Sequence, residues 1–154
     1  MKKIISHTSQ HTLNLGNQIG KAVSRQSAIA LKGDLGAGKT TLVQGLAKGL
    51  GVNDKYYITS PTFTIINEYP AKKFRLLHLD LYRLCNADEL ECIGFDDLMG
   101  KDTVLVVEWP GLLEEIKFEF DLTIKFEFDA DYNRILYFSP SGHYGTNLIS
   151  KLFS

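Results

Sequence analysis

Apolar positions recur along the chain with a period that changes from segment to segment. Between Ser9 and about Val23, Leu15, Ile19, Ala22 and Val23 return at helical spacing, which predicts a helix that Ser9 can cap. Gly16 and Gly20 oppose that helix, each by roughly 1 kcal/mol relative to alanine, and either admit a close neighbour or have no role. Ser27–Leu31 reads as a short buried strand and Thr41–Leu50 as a helix that Gly51 can end. Val52–Thr59 has no period and reads as a loop. Ser60–Tyr69 predicts a strand with a polar entrance, which Pro70–Lys73 turns back into a strand over Phe74–Asp80. This is a hairpin, so the sheet is not purely parallel. Asn86 or Asp88 can cap a short helix through Leu90 and Ile93, ended by Gly94. Thr103–Val107 is a nearly continuous apolar run closed by Glu108, a pattern of strands buried on both faces. Leu122, Ile124, Phe126 and Phe128 alternate with Thr123, Lys125 and Glu127, a half-buried strand. Asp129–Asn133 turns it into a return strand over Arg134–Phe138. A last helix carries Leu148, Ile149, Leu152 and Phe153 on one face.

The segment between the second strand and helix changes the picture most. Gly33-Asp34-Leu35-Gly36-Ala37-Gly38-Lys39-Thr40 matches the phosphate-binding pattern G-x-x-x-x-G-K-[ST], with a strand before it and a helix after it. Glycines there let the backbone turn its N–H groups onto an anion, and the helix N-terminus adds partial positive charge. Lys39 would reach the β- and γ-phosphates, and the Thr40 hydroxyl would ligate magnesium. The expected architecture is α/β: a single domain over residues 1–154, built as a P-loop NTPase three-layer sandwich. Its sheet is mixed, with an added antiparallel C-terminal hairpin.

Such a site needs an acid as well. Two end apolar strands, Glu108 after Val104–Val107 and Asp80 after Leu76–Leu79, and ligands of open α/β sheets bind at the carboxyl ends of strands. Asp80 can instead fix the Tyr82–Arg83 turn. His78, inside an apolar run, reads as a core histidine. Ser60, Thr62 and Thr64 form either a phosphate-sensing segment or a polar strand entrance. Trp109 is either an interface residue or a core residue.

Composition removes several classes. A net charge of −1 over 154 residues gives no electrostatic footprint for nucleic acid, so an RNA substrate would have to be held by another protein. There is no apolar run of about 18 residues, which argues against a membrane span. Met1–Ile5 begins like a signal peptide, but the polar residues Ser6–Thr12 interrupt it. Cys85 and Cys92 have neither metal-knuckle nor redox spacing and read as reduced thiols of a cytoplasmic protein. A small-molecule kinase is the alternative enzyme, but kinases neutralise two phosphate-bearing substrates with several arginines. This chain has only Arg25, Arg75, Arg83 and Arg134. No N-K-x-D segment supports a GTPase, and an adaptor that only senses ATP stays open.

Taken in series, Gly33–Thr41, Ser60-Pro61-Thr62-Phe63-Thr64, His78-Leu79-Asp80-Leu81-Tyr82-Arg83-Leu84, Glu89-Leu90-Glu91 with Ile93-Gly94, and Glu108-Trp109-Pro110 resemble the TsaE family. The family usually has an acid after E-W-P, where this chain has Gly111. The resemblance implies a magnesium-dependent ATPase of tRNA threonylcarbamoyladenosine biosynthesis. It would work with TsaB and TsaD and touch tRNA only indirectly, through the complex. It implies that Thr40 and Glu108 hold magnesium and that Lys39, Asp80 and Glu108 serve catalysis. It further implies that Asp34, Leu35, Gly36, Ala37, Gly38, Lys39, Thr40 and Thr41 bind the nucleotide, with Thr8 and Thr12 on its adenine side.

Overall fold

Side chains on a strand alternate between faces, so a sheet covered on both sides sorts each strand's residues into two cores. The computed structural model describes residues 1–154. The elements are β1 (Lys2–Ser6), α1 (Ser9–Ala22), β2 (Ser27–Lys32), α2 (Lys39–Leu50), β3 (Ile66–Pro70), β4 (Arg75–Asp80), α3 (Asp88–Cys92), α4 (Phe95–Leu98), β5 (Thr103–Glu108), α5 (Gly111–Glu115), β6 (Leu122–Phe128), β7 (Arg134–Pro140) and α6 (Gly142–Leu152). They build one seven-stranded mixed sheet, ordered β1-β7-β6-β2-β5-β4-β3. The central strands β6, β2, β5 and β4 run parallel, whereas β3 at one edge and β7 and β1 at the other run antiparallel to their neighbours.

One face carries Ile29, Leu31, Leu76, Val104, Val106 and Ile124, packed with Leu42, Val43 and Leu46 of α2 and Ile19 of α1. Their chain neighbours Ala28, Ala30, Leu77, Leu79, Leu105 and Val107 form a second core with Leu90, Phe95 and Leu113 of the short helices α3, α4 and α5.

The two glycines that weaken α1 have a packing cause. A Cβ on Gly16 would run into the Leu42 carbonyl of α2, and one on Gly45 of α2 into the Leu13 carbonyl of α1. Gly20 and Gly49 make the same contact one turn on, with 2.8 Å from the Gly20 Cβ position to Gly49 Cα. The helices therefore touch backbone to backbone, and α1 is locked to the helix that leaves the Gly33–Thr40 loop.

Several expectations change. The cap of α1 is Thr8, whose Oγ1 accepts the His11 N–H at 3.0 Å, one residue before Ser9. Lys2–Ser6, which carries no clear strand pattern, pairs with β7 as an edge strand. Ser60–Ile65 is a turn rather than a strand entrance, and Ile65 takes a left-handed φ of 70° as the chain enters β3. The β6–β7 hairpin is not an appendage: β6 lies parallel to β2, with Leu31 opposite Ile124, so it extends the main sheet. The short helices α4 and α5, four and five residues long, are too short to show a helical period in the sequence.

Candidate nucleotide site

The carboxyl ends of β2, β4 and β5 meet where the Gly33–Thr40 loop turns into α2. Gly38 precedes the first helical residue with φ 104°, a conformation that L side chains avoid. A Cβ there would also come within 2.7 Å of Arg134 Nε. Around this loop lies a cleft of about 290 Å³, lined by Leu35, Gly36, Gly38, Lys39, Thr40, Thr41, Ser60, Thr62, Asp80, Glu108, Trp109 and Arg134.

Strand register explains why both acids arrive together. Asp80 and Glu108 stand opposite each other in the parallel β4–β5 ladder and project to the α2 face. Each has a different set of partners. Asp80 Oδ1 accepts the Tyr82 N–H at 2.9 Å, while Oδ2 accepts the Ser60 and Thr62 hydroxyls, both at 3.1 Å. It thus fixes the Tyr82–Arg83 turn and the Ser60–Thr64 segment at once. Glu108 Oε2 lies 2.7 Å from His78 Nε2, inside the sheet. No protein group donates to its other oxygen.

Lys39 is buried at the mouth of α2. Its Nζ donates to the Gly33 carbonyl and lies 4.1 Å from the centre of the Trp109 ring. Burial lowers its pKa below the usual lysine value, against the opposing pull of Glu108, Asp80 and Asp34. Trp109 takes a left-handed φ of 55° and packs on Tyr82, ring centres 5.0 Å apart. It is half-buried over the loop lysine.

The cleft brings together Leu35, Gly36, Gly38, Lys39, Thr40, Thr41, Asp80 and Glu108. Asp34 and Ala37 belong to the same loop but not to the lining. Thr8 and Thr12 are elsewhere: Thr8 caps α1, and Thr12 is buried with its Oγ1 2.7 Å from Ser6 Oγ. Ser6 pairs with Arg134 in the β1–β7 ladder, so the start of α1 adjoins the Arg134 side of the cleft. Sequence reasoning missed Arg134, which donates from Nε to the Ala37 carbonyl at 3.0 Å. Its only signal was scarcity, as one of four arginines placed directly after the Asp129–Asn133 turn. Arg83 makes no ion pair with the acids nearby in the chain. It is exposed and lies 5.0 Å from the Phe63 ring centre.

Magnesium is usually held by one or two protein groups plus substrate phosphates and water, rather than by an all-protein cage. A Thr40 hydroxyl and one uncommitted Glu108 oxygen on a single cleft fit that donor set.

The family model described as "Threonylcarbamoyl adenosine biosynthesis protein TsaE" matches residues 6–136. The TsaE protein of Aquifex aeolicus is 40% identical over 71% of this chain and 77% of its own length. That of Treponema pallidum is 36% identical over 86% of this chain and 96% of its own. A Nostoc TsaE is 56% identical over 54% of this chain, and the match spans only about half (51%) of that protein. The crystal structure of YdiB from Bacillus subtilis superposes with a TM-score of 0.77 at 30% identity, covering 98% of this chain and 93% of YdiB. With the loop, both acids and the E-W-P segment inside the matched span, the chain belongs to the TsaE family.

Proposed function

We propose that this chain is a P-loop ATPase of tRNA threonylcarbamoyladenosine formation, acting with the TsaB–TsaD complex. The observation that carries the reading is the convergence of Lys39, Thr40, Asp80 and Glu108 on one cleft, at the carboxyl edge of the sheet, in a chain of this family. Lys39 and the loop N–H groups bind the phosphates. Thr40 and Glu108 would hold magnesium, which when bound would supply positive charge to offset the charge that develops on the phosphate. Asp80 holds the Ser60–Thr64 segment against the cleft, where Ser60 and Thr62 can meet the outer phosphate or its attacking water. Arg134 closes the loop side and Trp109 shields Lys39 from solvent.

Two features favour a site completed by a partner. Arg134 is the one arginine in the lining, and it is engaged with the loop carbonyl rather than free to approach a γ-phosphate. Leu35 of the lining is exposed, and so are Phe63, next in the chain to the lining residue Thr62, and Tyr82, which packs on Trp109. Exposed apolar groups gathered at a site mark a surface that another protein covers. The kinase alternative has less support, because Arg25 pairs with Asp121 and Arg75 with Glu68, both away from the cleft. The test is steady-state phosphate release from ATP by the protein alone, with each of TsaB and TsaD, and with both. Slow release alone that rises with the pair supports the proposal. Fast release that the pair leaves unchanged rejects it.

A further inference from the structure

His78 is a fully buried polar residue of the sheet, and the ATPase reading gives it no duty. It sits mid-strand in β4, opposite Val106 of β5 and Asn67 of β3, with no solvent exposure. Two residues before Asp80, it shares that residue's face, so its ring reaches diagonally to Glu108 rather than to its ladder partner. Nε2 stands 2.7 Å from Glu108 Oε2, and Nδ1 is buried with no hydrogen-bond partner at all.

That asymmetry settles the ring's proton. A proton on Nδ1 would be a buried donor with nothing to accept it, whereas a bare Nδ1 leaves only an unused lone pair. The proton that meets Glu108 therefore sits on Nε2, which donates to Oε2. A carboxylate held by one oxygen keeps one rotamer and offers its second oxygen in a fixed direction.

We propose that His78 is a positioning residue for the magnesium site: its Nε2–H holds Oε2 of Glu108 so that the other carboxylate oxygen stays aimed into the cleft. This rests on the reading of Glu108 as a metal ligand. Groups that orient a metal's ligands are worth about 10–100-fold in metal affinity when removed. The alternative is a histidine that merely fills the core, and leucine would then serve as well.

The experiment is calorimetric titration of the protein with ADP, once in excess magnesium and once in EDTA. The ratio of the two affinities is magnesium's contribution. His78→Leu should fold, keep the metal-free ADP affinity and lose about tenfold of magnesium's contribution. His78→Gln, whose amide nitrogen reaches the Nε2 position, should recover it. His78→Asn, whose amide corresponds to Nδ1 and falls short, should not. Should the leucine variant fail to fold, the glutamine and asparagine variants decide alone, since only the first restores the donor. An unchanged magnesium contribution in His78→Leu overturns the proposal, as does a folded His78→Gln no better than His78→Asn. Glu108→Gln separates the two layers. If magnesium's contribution survives that change, Glu108 is not the ligand and the underlying reading falls. If it is lost while His78→Leu keeps it, only the role of His78 falls.

Discussion

Leu77 and His78, Leu79 and Asp80, and Val107 and Glu108 are adjacent in the chain and belong to different halves of the molecule. The first of each pair enters the wholly apolar core beneath α3, α4 and α5. The second faces α1 and α2, the side on which a lysine, a histidine and two carboxylates are buried. The helices differ as well. On the apolar side they are four or five residues long and cover the sheet with single side chains. On the polar side they run for 14 and 12 residues and meet through a glycine seam. The α1–α2 side holds the larger apolar cluster, 23 buried residues against 11, and buries its charged groups at the edge of that cluster. A rigid α1–α2 pair makes that possible, because it holds the start of α2, and with it Lys39 and Thr40, at a fixed place over the strand ends.

The contrast can be broken from either side. Leu77→Ala removes a fully buried side chain from the apolar half. It should cost about 2–5 kcal/mol of stability by chemical denaturation, while the folded fraction binds magnesium–ADP as the wild type does. An affinity loss in step with the stability loss would show that the halves are not separable. Gly45→Ala inserts a methyl into the seam and should cost about 1–3 kcal/mol, because backbone rather than a flexible side chain stands in its way. Unlike Leu77→Ala it should also weaken ADP binding, since α1 and α2 must part. Wild-type stability in this variant would mean that the seam yields easily.

Asp80→Ala acts within the polar half. It should lower turnover by about tenfold, a barrier change of ~1.4 kcal/mol, and leave ATP affinity less affected. It frees Ser60 and Thr62 without touching the loop. Equal losses in both would reduce Asp80 to a binding or structural residue. The smallest effect concerns pH. Burial places the Lys39 pKa below 10.5, so the charged form that grips phosphate is lost earlier than from an ordinary lysine. ADP affinity should fall as pH rises through that lowered value. Over the window up to 10.5 the unfolded chain holds the extra proton, so this group's contribution to stability rises with pH while affinity declines. Titrations of affinity and unfolding across alkaline pH check both signs.

The sequence carried these two halves unequally. The long helices, the buried strands β2 and β5 and the loop between β2 and α2 were legible, because each pairs a clear period with a clear terminus. Both acids were legible as strand ends, but their adjacency was not, since it depends on the β4–β5 register. The same holds for His78, which reads as core until the register sets it beside Glu108. Ser60–Ile65 misled because its alternation suits a strand, whereas its hydroxyls are drawn to Asp80 and Ile65 turns left-handed. β1 was missed because Lys2–Ser6 has too few apolar positions to show a period, and its partner β7 lies at the far end of the chain. Gly16 and Gly20 looked like defects because their reason lies on another helix.

The direct test of the account is whether nucleotide binding depends on the polar half through Lys39. Calorimetric titration of wild type and Lys39→Ala with magnesium–ADP near neutral pH, with unfolding curves for both, decides it. The account predicts a folded variant that has lost about 10–100-fold in affinity, the worth of a hydrogen bond to a charged group. A folded Lys39→Ala that binds magnesium–ADP as tightly as the wild type would contradict it.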